Sequence, residues 1–257
     1  MAVKKLRFMW LNYSDSAIVT ASSEAADYPV ANLQNRWKTV DWRSTGLTAE
    51  WVKENLGSAK AVQAFVLENM NLTAGATVAL QAHASDLWTA PSYSLAITIT
   101  AAMVAAKRIV IFLAAAETYQ WWRLLVTDAA NGDGHLSASR IYLGPYFEPT
   151  RSYKTQWERS PASDSVVSYS SGGQASVTER PIFWVYNLPI SIVGSADELA
   201  YAAIDDTCGI KIPLWICLDS TDEIVRTVYG HFMEYIAFPS VIDGSLWDTN
   251  LKFREEL

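Results

Sequence analysis

Across the first 147 positions, short runs of alternating apolar and polar residues are separated by clusters of Ser, Asp, Asn, Gly and Pro. A period of two marks strands with one buried face. LRFMWLN (6–12) and AIVTAS (17–22) come first, parted by a Ser-Asp-Ser turn. In ADYPVANL (26–33), Pro29 interrupts any strand and fits a turn or short helix. TVDWRS (39–44), AEWVKENLG (49–57), AVQAFVLENMNLT (61–73) and ATVALQAHAS (76–85) resume the alternation, the last with Val78, Leu80 and Ala82 on one face. Further strands are predicted at SLAITIT (94–100), KRIVIFLA (107–114), YQWWRLLVTD (119–128) and HLSASRIYLG (135–144). This spacing predicts a jelly-roll β-sandwich over residues 1–147.

The pattern then changes. Residues 149–180 are polar and serine-rich, with a Gly172-Gly173 pair, and predict a linker or a long loop carrying short strands. PIFWVYNLPISIV (181–193) restores a strand. Ser195, with Glu198 three residues on, predicts a capped helix carrying an apolar stripe of Leu199, Ala202 and Ala203 and closed by Gly209. Strands return at 211–219, 226–241 and 245–257. Residues 148–257 thus predict a smaller α+β domain with one helix, and the whole chain reads as mainly β.

Composition narrows the functional classes. Half of the 257 residues are hydrophobic, with eleven Trp and twelve Tyr, so the chain can fill a core and still present aromatic surface to partners. A formal charge of −7 with no basic run argues against nucleic-acid and anionic-lipid partners. Lys4, Lys5 and Arg7 imitate the basic region of a signal peptide, but Asn12, Ser14 and Asp15 cut its apolar core short. Residues 95–116 form the most apolar stretch, yet Lys107 and Arg108 split it into halves too short to span a bilayer. A soluble chain without membrane insertion is expected. Cys208 and Cys217 make no metal motif and are expected to be buried free thiols, which suits a reducing cytoplasm.

The search for chemistry yields little. DAANGDGH (128–135) has calcium-loop flavour, but in the EF-hand alignment Ala129 and Arg140 fall where essential oxygens belong, so a polar hairpin turn is expected. His83, His135 and His231 belong to no zinc motif, and no nucleophile elbow or phosphate loop is present. No enzyme activity, cofactor or metal is expected. Trp37, Trp42, Trp51, Trp88, Trp121 and Trp122 include possible sugar platforms. Strand alternation sends Trp121 and Trp122 to opposite faces, so one should be core. Trp88 and Trp121 are the candidate carbohydrate-binding residues. In NRWKTVDWRSTG (35–46), Trp42 shares a face with Val40 and Ser44 and is expected in the core. Arg43 is expected to pair with an acid on a neighbouring strand.

The ordered set YPVANL, WRS, LENMNLTAGATVALQAH and WWRLLVTDAANGDGHLSASRIYLG resembles a group of bacteriophage tail proteins whose N-terminal half is a galactose-binding-like (discoidin-type) β-sandwich. Pro29, Asn32, Leu33, Trp42, Arg43, Ser44, Asn71 and Leu72 occupy the opening positions of that pattern. Trp122, Asp128, Asn131, Arg140, Leu143 and Gly144 match its closing block. Val30 stands for an alanine, and Trp121-Trp122-Arg123 inverts the usual aromatic–basic order. TVYGHFMEYIAF and SLWDTNLKFREEL resemble the last hairpin of tail-tube-like and distal-tail proteins. The resemblance implies a structural component of a tail tip or baseplate, assembled in the host cytoplasm and carried on the virion. It implies a cyclic, hexameric ring of the chain with itself, joining the tail tube to receptor-binding parts, and no catalytic residues. The alternative expectation is a carbohydrate-binding module that contacts host surface glycans.

Overall fold

The computed structural model describes residues 5–154, 156–242 and 246–256; Lys4, Ser245 and Leu257, which fall in features noted above, lie outside them. The first part of the chain holds β1 (Arg7–Met9), β2 (Ile18–Ala21), β3 (Trp42–Arg43), β4 (Glu50–Glu68), β5 (Thr77–His83), β6 (Tyr93–Thr98), β7 (Arg108–Thr127), β8 (Ser137–Ala138) and β9 (Arg140–Gly144). The remainder holds β10 (Glu158–Ser163), β11 (Val166–Tyr169), β12 (Ala175–Thr178), β13 (Ile182–Gly194), β14 (Leu214–Cys217), β15 (Thr227–Phe232), β16 (Ser240–Ile242) and β17 (Leu246–Glu255). The helices are α1 (Ala101–Ala106), α2 (Ser195–Thr207) and α3 (Glu223–Arg226). The protein is mainly β.

Two predicted strand pairs prove to be single long strands. β4 merges 49–57 with 61–73, and β7 merges 107–114 with 119–128. They pair with each other along most of their length, with register shifts between Asn55 and Lys60 and between Val62 and Ala64. Gly57, at φ 78°, supplies the left-handed backbone that lets β4 kink without leaving the sheet. The apolar stretch 95–116 divides differently from expectation: Thr100 Oγ1 accepts from Met103 N at 3.2 Å and caps α1, and left-handed Lys107 ends it.

These long strands build two layers around one core. Val52, Leu56, Leu124 and Val126 from one half meet Phe65, Leu67, Ile109 and Leu113 from the other. The second half is buried on both faces. Ala64, Val66, Val110 and Tyr142 point away from that core onto Met9, Trp215, Cys217 and Tyr229 of the next sheet. Glu68, 2% exposed, joins the layers: its carboxylate accepts from Trp215 Nε1 at 3.0 Å and pairs with Arg108 Nε at 3.1 Å.

The third layer runs β1-β14-β15-β17-β13-β10, with β16 on β17. β1 therefore joins the C-terminal sheet instead of opening the sandwich, pairing Phe8 with Ile216 and Met9 with Trp215. Its sequence is apolar on both faces, and this position buries both: Phe8 enters the core under α2, and Met9 the core toward the sandwich.

Gly194, not Ser195, occupies the N-cap of α2, without a side-chain bond. Its buried stripe is Asp197, Tyr201, Ile204 and Cys208, while Leu199 is 67% exposed; the bulk of Tyr201 decides which side faces the sheet. Asp197 accepts instead from Thr150 N at 2.9 Å, fastening the incoming segment. Gly209, at φ 47°, closes the helix in the left-handed region. Cys208 and Cys217 are buried and unlinked, in the cores on opposite sides of the sheet. No helix among the described residues is long and apolar enough to cross a membrane.

Candidate functional site

The outer face of the first layer carries a grouping of aromatic and polar side chains. Alternation along β4 turns Trp51, Lys53 and Asn55 outward while Glu50, Val52 and Glu54 turn in. Along β7, Trp121, Arg123 and Leu125 turn outward while Trp122, Leu124 and Val126 turn in. On β5, Ala79, Gln81 and His83 share the outer face. The register sets these in rows across the sheet. Lys53 faces Arg123, which faces Gln81; Asn55 faces Trp121, which faces His83.

Polar bonds lock the face. Arg123 donates through Nε to Gln81 Oε1 at 2.9 Å. The loop after β5 folds back so that Trp88 stacks on the Arg123 guanidinium, whose carbon lies 4.6 Å from the ring centre. Trp88 Nε1 donates to Asp86, and Lys53 Nζ donates to both Asp86 oxygens at 3.0 Å. Burial opposes ionisation of Asp86, but the bonds from Trp88 and Lys53 outweigh it and hold the carboxyl below its usual range. Lys53 Nζ also lies 4.6 Å from the Trp51 ring centre. Among the described residues no ring or cation stacks on Trp121, which is only half-buried.

Trp88 and Trp121, far apart in sequence, are thus brought onto one face, with Trp122 in the core behind it. Sequence reasoning missed Lys53, Gln81, Asp86 and Arg123. The alternation of WVKEN and WWRLL was the available signal for Lys53 and Arg123; the return of the Asp86 loop had none.

Trp42, Arg43 and the 128–135 turn serve the framework. Trp42 lies in the core, 4% exposed, and donates through Nε1 to Ser23 O at 3.2 Å. Arg43 does not pair with an acid on a neighbouring strand: it pairs with Asp41, two residues back, at 2.7 Å and stacks on Tyr28 at 3.8 Å. Residues i and i+2 of an extended chain share a face, so the nearer acid captures it. In the 128–135 turn, Asp128 accepts from Thr73 N at 2.8 Å and Thr73 Oγ1 at 2.6 Å, and Asn131 Nδ2 donates to Asn71 O at 2.9 Å. That turn is a cross-brace between loops.

No protein-family model and no curated protein matches the chain. Solved structures similar to about half of the chain include the lectin domain of Lectinolysin complexed with Lewis B antigen, at 11% identity and TM-score 0.41, covering 52% of this chain and 95% of that one. A Streptococcus pneumoniae fucose binding module, SpX-3, has 11% identity and TM-score 0.43, with coverage of 53% and 99%. Chitosan-binding module 2 of a Paenibacillus sp. IK-5 chitosanase/glucanase, in complex with chitotriose, has 18% identity and TM-score 0.41, with coverage of 52% and 100%. Likeness at this level carries no argument about function.

Proposed function

We propose that the chain is a carbohydrate-binding protein that contacts surface glycans through the outer sheet face. The observation that carries this reading is Trp121, its indole free of stacking partners among the described residues, flanked across the sheet by Asn55 and His83 and held on rigid strands. An indole face attracts the C–H face of a pyranose, and neighbouring amides and imidazoles exchange hydrogen bonds with its hydroxyls. Lys53, Asp86 and Arg123 fix the platform in advance, so little ordering entropy is lost on binding. On a glycan array the protein is expected to retain at least one glycan, and Trp121→Ala to weaken it about tenfold or more with an unchanged melting temperature. Retention of no glycan, or equal retention by Trp121→Ala, overturns the reading.

A second reading, an assembly subunit of a virion tail, has one observation in its favour. The β11–β12 hairpin stands clear of every core, with Val166, Tyr169 and Val177 57%, 73% and 53% exposed. Such a two-stranded ribbon is marginal in water unless something covers it. The occupant this reading calls for is a second copy of the chain, joined beside the β10 edge in a closed ring. Sedimentation should then show a concentration-dependent oligomer that Tyr169→Ser with Val177→Ser returns to monomer. Monomer at every concentration excludes it.

A further inference from the structure

The most exposed tryptophan of the chain is used by neither core nor platform. Trp37, 71% exposed, stands in the loop between the short 3-10 turn Val30–Gln34 and β3. That loop lies against the C-terminal sheet and walls a cleft of about 580 Å³ with Arg36, Lys211, Pro213, His231 and Glu256. The wall is braced from several sides. Gln34 Nε2 donates to Ser14 O at 2.6 Å and Ala17 O at 2.9 Å. Tyr229 Oη donates to Arg36 O at 2.9 Å, and Trp37 N to Asn35 Oδ1 at 3.0 Å.

From this arrangement we infer a second binding site, distinct from the outer sheet face, for an acidic sugar residue of the hexuronate class. Three features converge on that chemistry. Trp37 offers an open indole face, as pyranose stacking requires. Arg36 and Lys211 form no ion pair among the described residues, and the two cations outnumber the one carboxylate, Glu256, of the described lining in a chain of net charge −7. Glu256 and His231, joined at 2.7 Å, place an acceptor and a ring nitrogen side by side, a match for vicinal hydroxyls. The volume suits one or two rings. A phosphate dianion fits less well, because the Glu256 carboxylate repels its second charge.

Isothermal titration of the full chain with glucuronate, galacturonate, glucose and adenosine monophosphate tests the site. One of the two uronates is expected to bind at least about tenfold more tightly than glucose or the nucleotide. Trp37→Ala, at a position too exposed to threaten folding, is expected to remove that binding. Arg36→Ala with Lys211→Ala is expected to erase the preference for uronate over glucose. Trp121→Ala, on the other face, should leave uronate binding in place, which separates this site from the glycan platform. Absence of uronate binding, uronate binding that survives Trp37→Ala, or tighter binding of the nucleotide overturns the inference.

Discussion

Trp42→Ala is expected to destabilise the protein by about 3–5 kcal/mol, the usual cost of truncating a buried large aromatic. The strand that carries Trp42 pairs with β8 through only two residues, Trp42 with Ala138 and Arg43 with Ser137, so few ladder bonds hold it. The indole, packed in the main core and bonded to Ser23 O, is the anchor of the whole 35–46 stretch. Arg43→Ala should cost far less, because its partner is the nearby Asp41, the pair is only partly buried and no core contact is lost. Urea melts of both variants, run beside a glycan array, check this. A Trp42→Ala protein of normal stability that had lost a glycan ligand would move the sugar site to this stretch.

Glu54→Gln is expected to remove a pH dependence of roughly 2–3 kcal/mol. Glu54 faces the main core, 1% exposed, opposite Trp122 in the ladder. Ser14 Oγ donates to one carboxyl oxygen at 2.7 Å, while the other oxygen and Trp122 Nε1 have no hydrogen-bond partner among the described residues. Burial raises its pKa to about 7; the Ser14 bond and Arg140 oppose the rise, and Asp15 adds to it. The ordinary value is 4.5, so between about 4.5 and 7 the folded protein keeps a proton that the unfolded chain releases. Stability from this group is therefore greatest in mild acid and declines as pH rises through that window. Comparing wild type with Glu54→Gln at pH 5 and pH 8 cancels the other titrating groups. The variant should gain on wild type toward pH 8; an unchanged difference between the two pH values would place the Glu54 carboxyl in contact with water.

Strand alternation was enough to set Trp121 and Trp122 on opposite faces and to place Trp42 in the core, because a period of two belongs to the backbone and needs no partner; the structure makes Trp122 the inward one. It likewise predicted a mainly β chain, and the Ser195–Glu198 spacing predicted a helix beginning near residue 195. Local reading did not reveal that β4 and β7 stay continuous through their kinks, since pairing with each other decides whether a turn-like Gly57 ends a strand or bends it. Nor did it reveal that LRFM would lie in the C-terminal sheet, where Met9 meets Trp215 across more than half the chain. The candidate sites depend on the same long-range contacts. Trp88 covers Arg123 only because the loop after β5 folds back over the sheet, and Trp37 walls a cleft only because the C-terminal sheet lies beside its loop. A residue's face is a property of its own strand. Its neighbours follow from pairings between distant segments, decided jointly by the burial of all three cores.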